Sequence, residues 1–176
     1  MCNRFYGWYM KCQSASQTLA VIPAVHQSGK RRTCSIQIIT DCDVWNVVFP
    51  SEMFRKEREK IRIGENQFDG QGMQLKIRTH ELTVDGKVSF GSLSPLRYDI
   101  MGPFTMVPFL ECRHSVWSMR HLVNGTIHVN DQVFCFENAR GYWEGAACKA
   151  MYRFCKKGNP IFYFETDKAS FEYEYD

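Results

Sequence analysis

From Phe5 to Tyr175 the chain repeats one device: a short run of alternating apolar and polar residues, then a turn. Met73-Gln-Leu-Lys-Ile-Arg78 is the cleanest run, and Leu82, Val84, Val88 and Phe90 alternate with Thr83, Asp85, Lys87 and Ser89. A period of two puts every second side chain on one face of an extended segment, so these runs predict half-buried β-strands. Further strands are expected at Phe5 to Gln13, at Thr18 to Val25 (a nearly continuous apolar run, a buried strand or buried short helix whose flanking turn formers favour the strand), at Thr33 to Thr40, Val44 to Phe49 and Lys60 to Ile63. Pro23 predicts a bulge in the second of these, and Gly86 marks a bulge or tight bend. Gly125 to Val129 and Val133 to Phe136 form a hairpin across Asn130-Asp131, and 149–154, 161–165 and 171–175 supply the last strands. One helix is expected, short and on the surface near 51–60, where Ser51 can cap a charged stretch without an apolar stripe. Ten or more short strands separated by turns predict an all-β antiparallel barrel or sandwich in a single domain, 1–176.

Composition narrows the function classes. The 176 residues are 44% hydrophobic and 14% aromatic, which fits one aromatic-rich globular core. A net charge of +3 is too small for a nucleic-acid face, and Lys30-Arg31-Arg32 after Ser28-Gly29 reads as a solvated turn. The eight cysteines contain no Cys-x-x-Cys, and the pairs Cys34/Cys42 and Cys148/Cys155 lack zinc spacing, so neither metal nor cofactor is expected. Free thiols in a cytoplasmic setting follow from that usage, with Asn124-Gly-Thr126 a chance sequon. The opening Met1 to Trp8 does not read as a signal peptide, and no stretch has the apolar length of a membrane span. There is no Gly-x-Ser-x-Gly elbow.

The most informative segment runs from Met101 to His121. It enters through Gly102-Pro103 and Pro108, then reads as a strand from Phe109. Strict alternation would put Cys112, His114, Val116 and Ser118 on one face, with Glu111, Arg113, Ser115, Trp117, Met119 and His121 on the other. Neither face is apolar, so the strand either lines a partly polar cavity or carries a buried ion pair. Cys112 and His114 stand about 7 Å apart along such a strand, too far for a sulfur–nitrogen contact without a bulge. His26, His80 and His128 flank turns or face outward and are expected in solvent.

Glu111-Cys-Arg-His114 followed by Ser118-Met-Arg-His121 resembles the central signature of the tocopherol-cyclase-like family. Gly7-Trp-Tyr-Met-Lys11, Leu19-Ala-Val-Ile-Pro23 and Asn138-Ala-Arg-Gly-Tyr-Trp-Glu144 extend the resemblance in the expected order. It implies a lipocalin-like barrel around a hydrophobic small molecule and closure of a chromanol ring, an intramolecular isomerase- or lyase-type reaction. There a prenylated quinol is protonated at its alkene and the phenol oxygen captures the cation. Such a site needs an acid, a proton relay, π faces near the cation and exclusion of water. The resemblance offers Glu111 and Glu144 as acids and His114 and His121 as relays. Trp8, Trp117, Tyr142 and Trp143 offer aromatic faces, with Cys112 and Ser118 lining the ligand; the roles among them stay open.

The likeness covers two blocks, 4–145 and 147–175, whereas members of the family are substantially longer. Gly145-Ala-Ala-Cys148 runs straight into Lys149-Ala-Met-Tyr, which resembles the family's closing hairpin. An internal deletion is therefore expected, leaving an incomplete barrel whose open sheet edges favour self-association. The alternatives to a cyclase are a non-catalytic binder of a hydrophobic small molecule and an inactive truncated homologue.

Overall fold

The computed structural model describes residues 3–107 and 112–149. They form one antiparallel sheet of eleven strands. In chain order these are β1 (Asn3–Gln13), β2 (Thr18–Ser28), β3 (Arg31–Thr40), β4 (Val44–Phe49), β5 (Phe54–Glu57) and β6 (Lys60–Ile63). Then come β7 (Asn66–Asp69), β8 (Gly72–Arg78), β9 (Thr83–Phe90), β10 (Cys112–Val129) and β11 (Gln132–Lys149). Their spatial order is β4-β3-β2-β1-β11-β10-β9-β8-β7-β6-β5.

That order forces the sheet to curl. Eleven strands laid flat would hold β4 and β5 about 48 Å apart, at about 4.8 Å per step. Yet only Pro50 to Met53 join these two edges, a link reaching at most about 18 Å. The edges must therefore approach each other, and rings record it. Phe54 of β5 stacks on Trp8 of β1 at 6.1 Å, and the Arg32 guanidinium of β3 lies 5.1 Å over the Phe54 ring. The result is a curled half-barrel, as the alternation and the resemblance imply.

Alternation is read out directly in β8, where Met73, Leu75 and Ile77 are buried while Gln74, Lys76 and Arg78 are exposed. Inward residues of both halves meet in one core, from Met10, Val21 and Ile36 to Ile61, Leu75 and Val88. β2 is buried on both faces from Leu19 to Val25, because it lies between β1 and β3 and small or aliphatic side chains fill its outer side.

Several expectations change. The helix near 51–60 is only a 3₁₀ turn at Ser51–Met53, after which Phe54–Glu57 is a strand paired to Lys60–Ile63. No apolar stripe held a helix there, whereas Phe54 as a strand residue reaches the core. No bulge marks Pro23, whose register with β3 continues unbroken; the ladder to β1 merely lapses opposite Trp8 and Tyr9, where proline offers no N–H. The Tyr98 to Met101 loop is followed by a second 3₁₀ turn, Gly102–Met106, with Pro103 in its first turn. Cys112 and Cys148 form a disulfide, so those thiols are not free; their cross-strand adjacency is invisible in a separation of 36 residues. His26 is half-buried against the Phe5 ring at 5.1 Å, and burial lowers its pKa, whereas His80 and His128 are exposed as expected. Among the described residues no helix is long and apolar enough to cross a membrane. The strands expected beyond residue 149 lie outside the described residues.

Candidate functional site

The site residues come mainly from the β10–β11 hairpin, the longest pair of strands in the sheet. Register shifts interrupt its ladder between Val116 and Ser118 and between Ser118 and His121. Each inserts an extra residue on β10, which turns neighbouring side chains toward the same face. Strict alternation therefore fails here. Trp117 packs on Trp143 with ring centroids 4.6 Å apart, and Ser118 and His121 are buried on that same side. The bulges gather onto the core face residues that a regular strand would have separated.

On β11 the spacing Gly141-x-Trp143-x-Gly145 makes room for them. A Cβ on Gly141 would run into the His121 ring, so this backbone position must stay bare. Gly145 lies beneath the indoles of Trp8 and Trp117. Phe90 closes the other side of His121 at 4.4 Å between centroids. Glycines flanking a tryptophan on one strand face are a readable signal that neighbouring strands lean large side chains over them. Phe54 and Phe90, by contrast, arrive from distant segments and carry no motif.

The polar groups of this face are few and incompletely paired. The Ser94 backbone N–H donates to Ser118 Oγ at 3.0 Å, and His121 Nδ1 lies 2.9 Å from the same oxygen. The tautomer leaving the fewest buried groups unpaired has the Ser118 hydroxyl donating to Nδ1 and the ring proton on Nε2. His121 Nε2 and Trp143 Nε1 are then buried donors, and neither has a partner among the described residues. Burial pushes the His121 pKa down to about 4, so the ring is neutral at physiological pH. An orphaned buried donor costs about 1–3 kcal/mol, so two of them on one apolar face ask for an acceptor.

The remaining expected residues lie elsewhere. Glu144 is in register with Tyr9 and Val116, on the side of β11 opposite Trp143. There it accepts a 2.7 Å hydrogen bond from the Tyr142 hydroxyl. Tyr9 meets Tyr142 edge-on at 6.2 Å, and burial, then the Glu144 charge, raises its pKa. Cys112 and His114 share this opposite face, with His114 exposed. Cys112 Sγ and His114 Nε2 are 3.8 Å apart, closer than strand spacing suggested, because the flexible side chains lean together. The structure thus brings Trp8, Trp117, Ser118, His121 and Trp143 together, and Cys112, His114, Tyr142 and Glu144 fall on the other side. Glu111 lies outside the described residues.

No family model matches this chain, and no curated protein matches it. Among solved structures, a candidate AttH protein from Nitrosomonas europaea aligns with a TM-score of 0.50 and 9% identity, over 84% of this chain and 51% of its own. CghA, solved with Sch210972, aligns with a TM-score of 0.48 and 10% identity, over 84% of this chain and 46% of its own. At 9% identity the likeness to the AttH protein is one of fold alone. The chain spans about half the length of these two structures.

Proposed function

We propose that this chain is a tocopherol-cyclase-like protein that holds a prenylated quinol, or a similar apolar molecule with an oxygen-bearing aromatic head, against the core face of its half-barrel. The observation that carries the reading is the pair of unpartnered buried donors, His121 Nε2 and Trp143 Nε1, within an aromatic interior. Quinol and quinone oxygens are the acceptors those donors lack, and the aromatic walls suit a prenyl tail. Ring closure of the bound quinol is the reaction that the resemblance attaches to such a site. Neutral His121 can orient the phenol oxygen by donating to it from Nε2.

A non-catalytic binder is the second reading. The observation behind it is that Glu144 pairs with Tyr142 on the face away from His121, which separates this acid from the aromatic interior. Incubation with a panel of prenylated hydroquinones decides between them, with binding followed by tryptophan fluorescence and chromanol by a mass-neutral chromatographic shift. Conversion by the wild type and its loss in His121→Phe support the cyclase. Binding without conversion supports the binder, and no binding to any member of the panel overturns both.

A further inference from the structure

We infer that Cys112 and Cys148 form a reversible thiol–disulfide site on the outer face of the sheet, in which Cys112 exchanges with an external dithiol and Cys148 is the resolving sulfur. The site lies away from the core face and does not depend on the ligand reading above. The two cysteines stand opposite each other at the first pair of the β10–β11 ladder and are joined as a disulfide. Their surroundings differ. Cys148 is 4% exposed and packs with Phe5 and Ala24, whereas Cys112 lies only partly buried against that cluster. An attacking thiolate therefore reaches the Cys112 sulfur first. His114 reinforces the asymmetry, because it is exposed and its Nε2 lies 3.8 Å from Cys112 Sγ. With its proton on that nitrogen, the ring donates to the sulfur whenever the sulfur carries negative charge. Other ionisable groups on this side are engaged elsewhere: His26 lies against the Phe5 ring, while Tyr9 and Glu144 gather at Tyr142.

The exchange needs no group beyond the dithiol. Its thiolate attacks Cys112 Sγ, the bond to Cys148 breaks, and the electron pair leaves on Cys148, which takes a proton. The second thiol of the reductant then attacks the mixed disulfide and releases Cys112 as a thiolate beside the His114 N–H. The protein gains two thiols as the dithiol is oxidised to its disulfide, and the reverse sequence restores the cross-link. Its place in the sheet gives the exchange a structural effect. Among the described residues, β10 from Cys112 to Leu122 is in register with β11 alone, since pairing with β9 begins at Val123. The disulfide thus clamps the end of a strand laddered on one side, and reduction frees Cys112 to Val116 to fray as far as the first bulge.

The test uses the oxidised full chain. Brief incubation with the monothiol glutathione, quenched in acid and mapped by peptide mass spectrometry, should place the adduct on Cys112. Dithiothreitol should release both thiols and speed hydrogen exchange at the amides of 113–116, while those of β8 stay protected. In the reduced protein, iodoacetamide should alkylate Cys112 ahead of Cys148. His114→Phe should slow the Cys112 reaction about threefold to tenfold, the worth of one hydrogen bond, and leave the Cys148 rate unchanged. His114→Gln, which keeps a side-chain N–H, should recover most of the lost rate. An adduct on Cys148, equal alkylation of the two thiols, or a disulfide that resists dithiothreitol in the folded wild type would overturn the site. An unchanged Cys112 rate in His114→Phe would overturn the part given to His114.

Discussion

The two faces of the β10–β11 hairpin use similar residue types in opposite ways. On the outer face, Tyr142 and Glu144 satisfy each other, and Cys112 and Cys148 are covalently joined. On the core face His121 Nε2 and Trp143 Nε1 are buried and unpaired, and bare glycines hold space beneath the rings. A paired polar group is explained by its partner, whereas an unpaired buried one is a penalty that a further acceptor would relieve. The difference teaches that chemistry should be sought where the hairpin leaves its donors unsatisfied rather than where its charges cluster.

Replacing Trp143 with alanine should give the largest break in this contrast. Its side chain is fully buried, so the loss should reach about 3–5 kcal/mol in denaturant unfolding. A loss below 1 kcal/mol would mean that this face is not packed as described.

The second test is pH. The folded-state pKa of His121 is lowered to about 4 from an ordinary 6.5, so protons bind the unfolded chain more readily between those values. Stability should therefore be complete above about pH 6.5 and fall as pH drops toward 4, by on the order of 3 kcal/mol. His26 titrates in the same sense. The comparison is accordingly with His121→Phe, which should flatten most of the slope.

Third, two alanines four residues apart should behave differently. Gly141→Ala collides with the His121 ring and should cost about 1–3 kcal/mol, whereas Gly145→Ala should be within about 0.5 kcal/mol of wild type. Equal melting temperatures for the pair would show that the His121 ring does not sit over Gly141. The smallest effect belongs to the outer face. Tyr142→Phe removes one half-buried hydrogen bond and should cost about 0.5–1.5 kcal/mol without altering ligand affinity.

Much of the sheet was legible because its signal is local. The run Met73 to Arg78 states its own buried and exposed faces, and Asn130-Asp131 announces its hairpin. The β5–β6 hairpin was not legible, since its turn uses Arg58 at φ 52° rather than glycine or asparagine. The segments from Ser118 to His121 and from Asn138 to Glu144 fall on one hairpin, but alternation assigned Ser118 and His121 to opposite faces. The two bulges that reunite them depend on pairing with β11, and β10 alone does not announce them.

Taken alone, the amino-acid sequence determined the all-β class and the short list of residues from which a site could be built, because a period of two and residue chemistry are properties of adjacent positions. Only the tertiary structure decided which of those residues meet. That outcome depends on register across β1, β11 and β10, and on a curl imposed by tying the two sheet edges through Pro50 to Met53. Both are relations between segments far apart in the chain, which no local pattern contains.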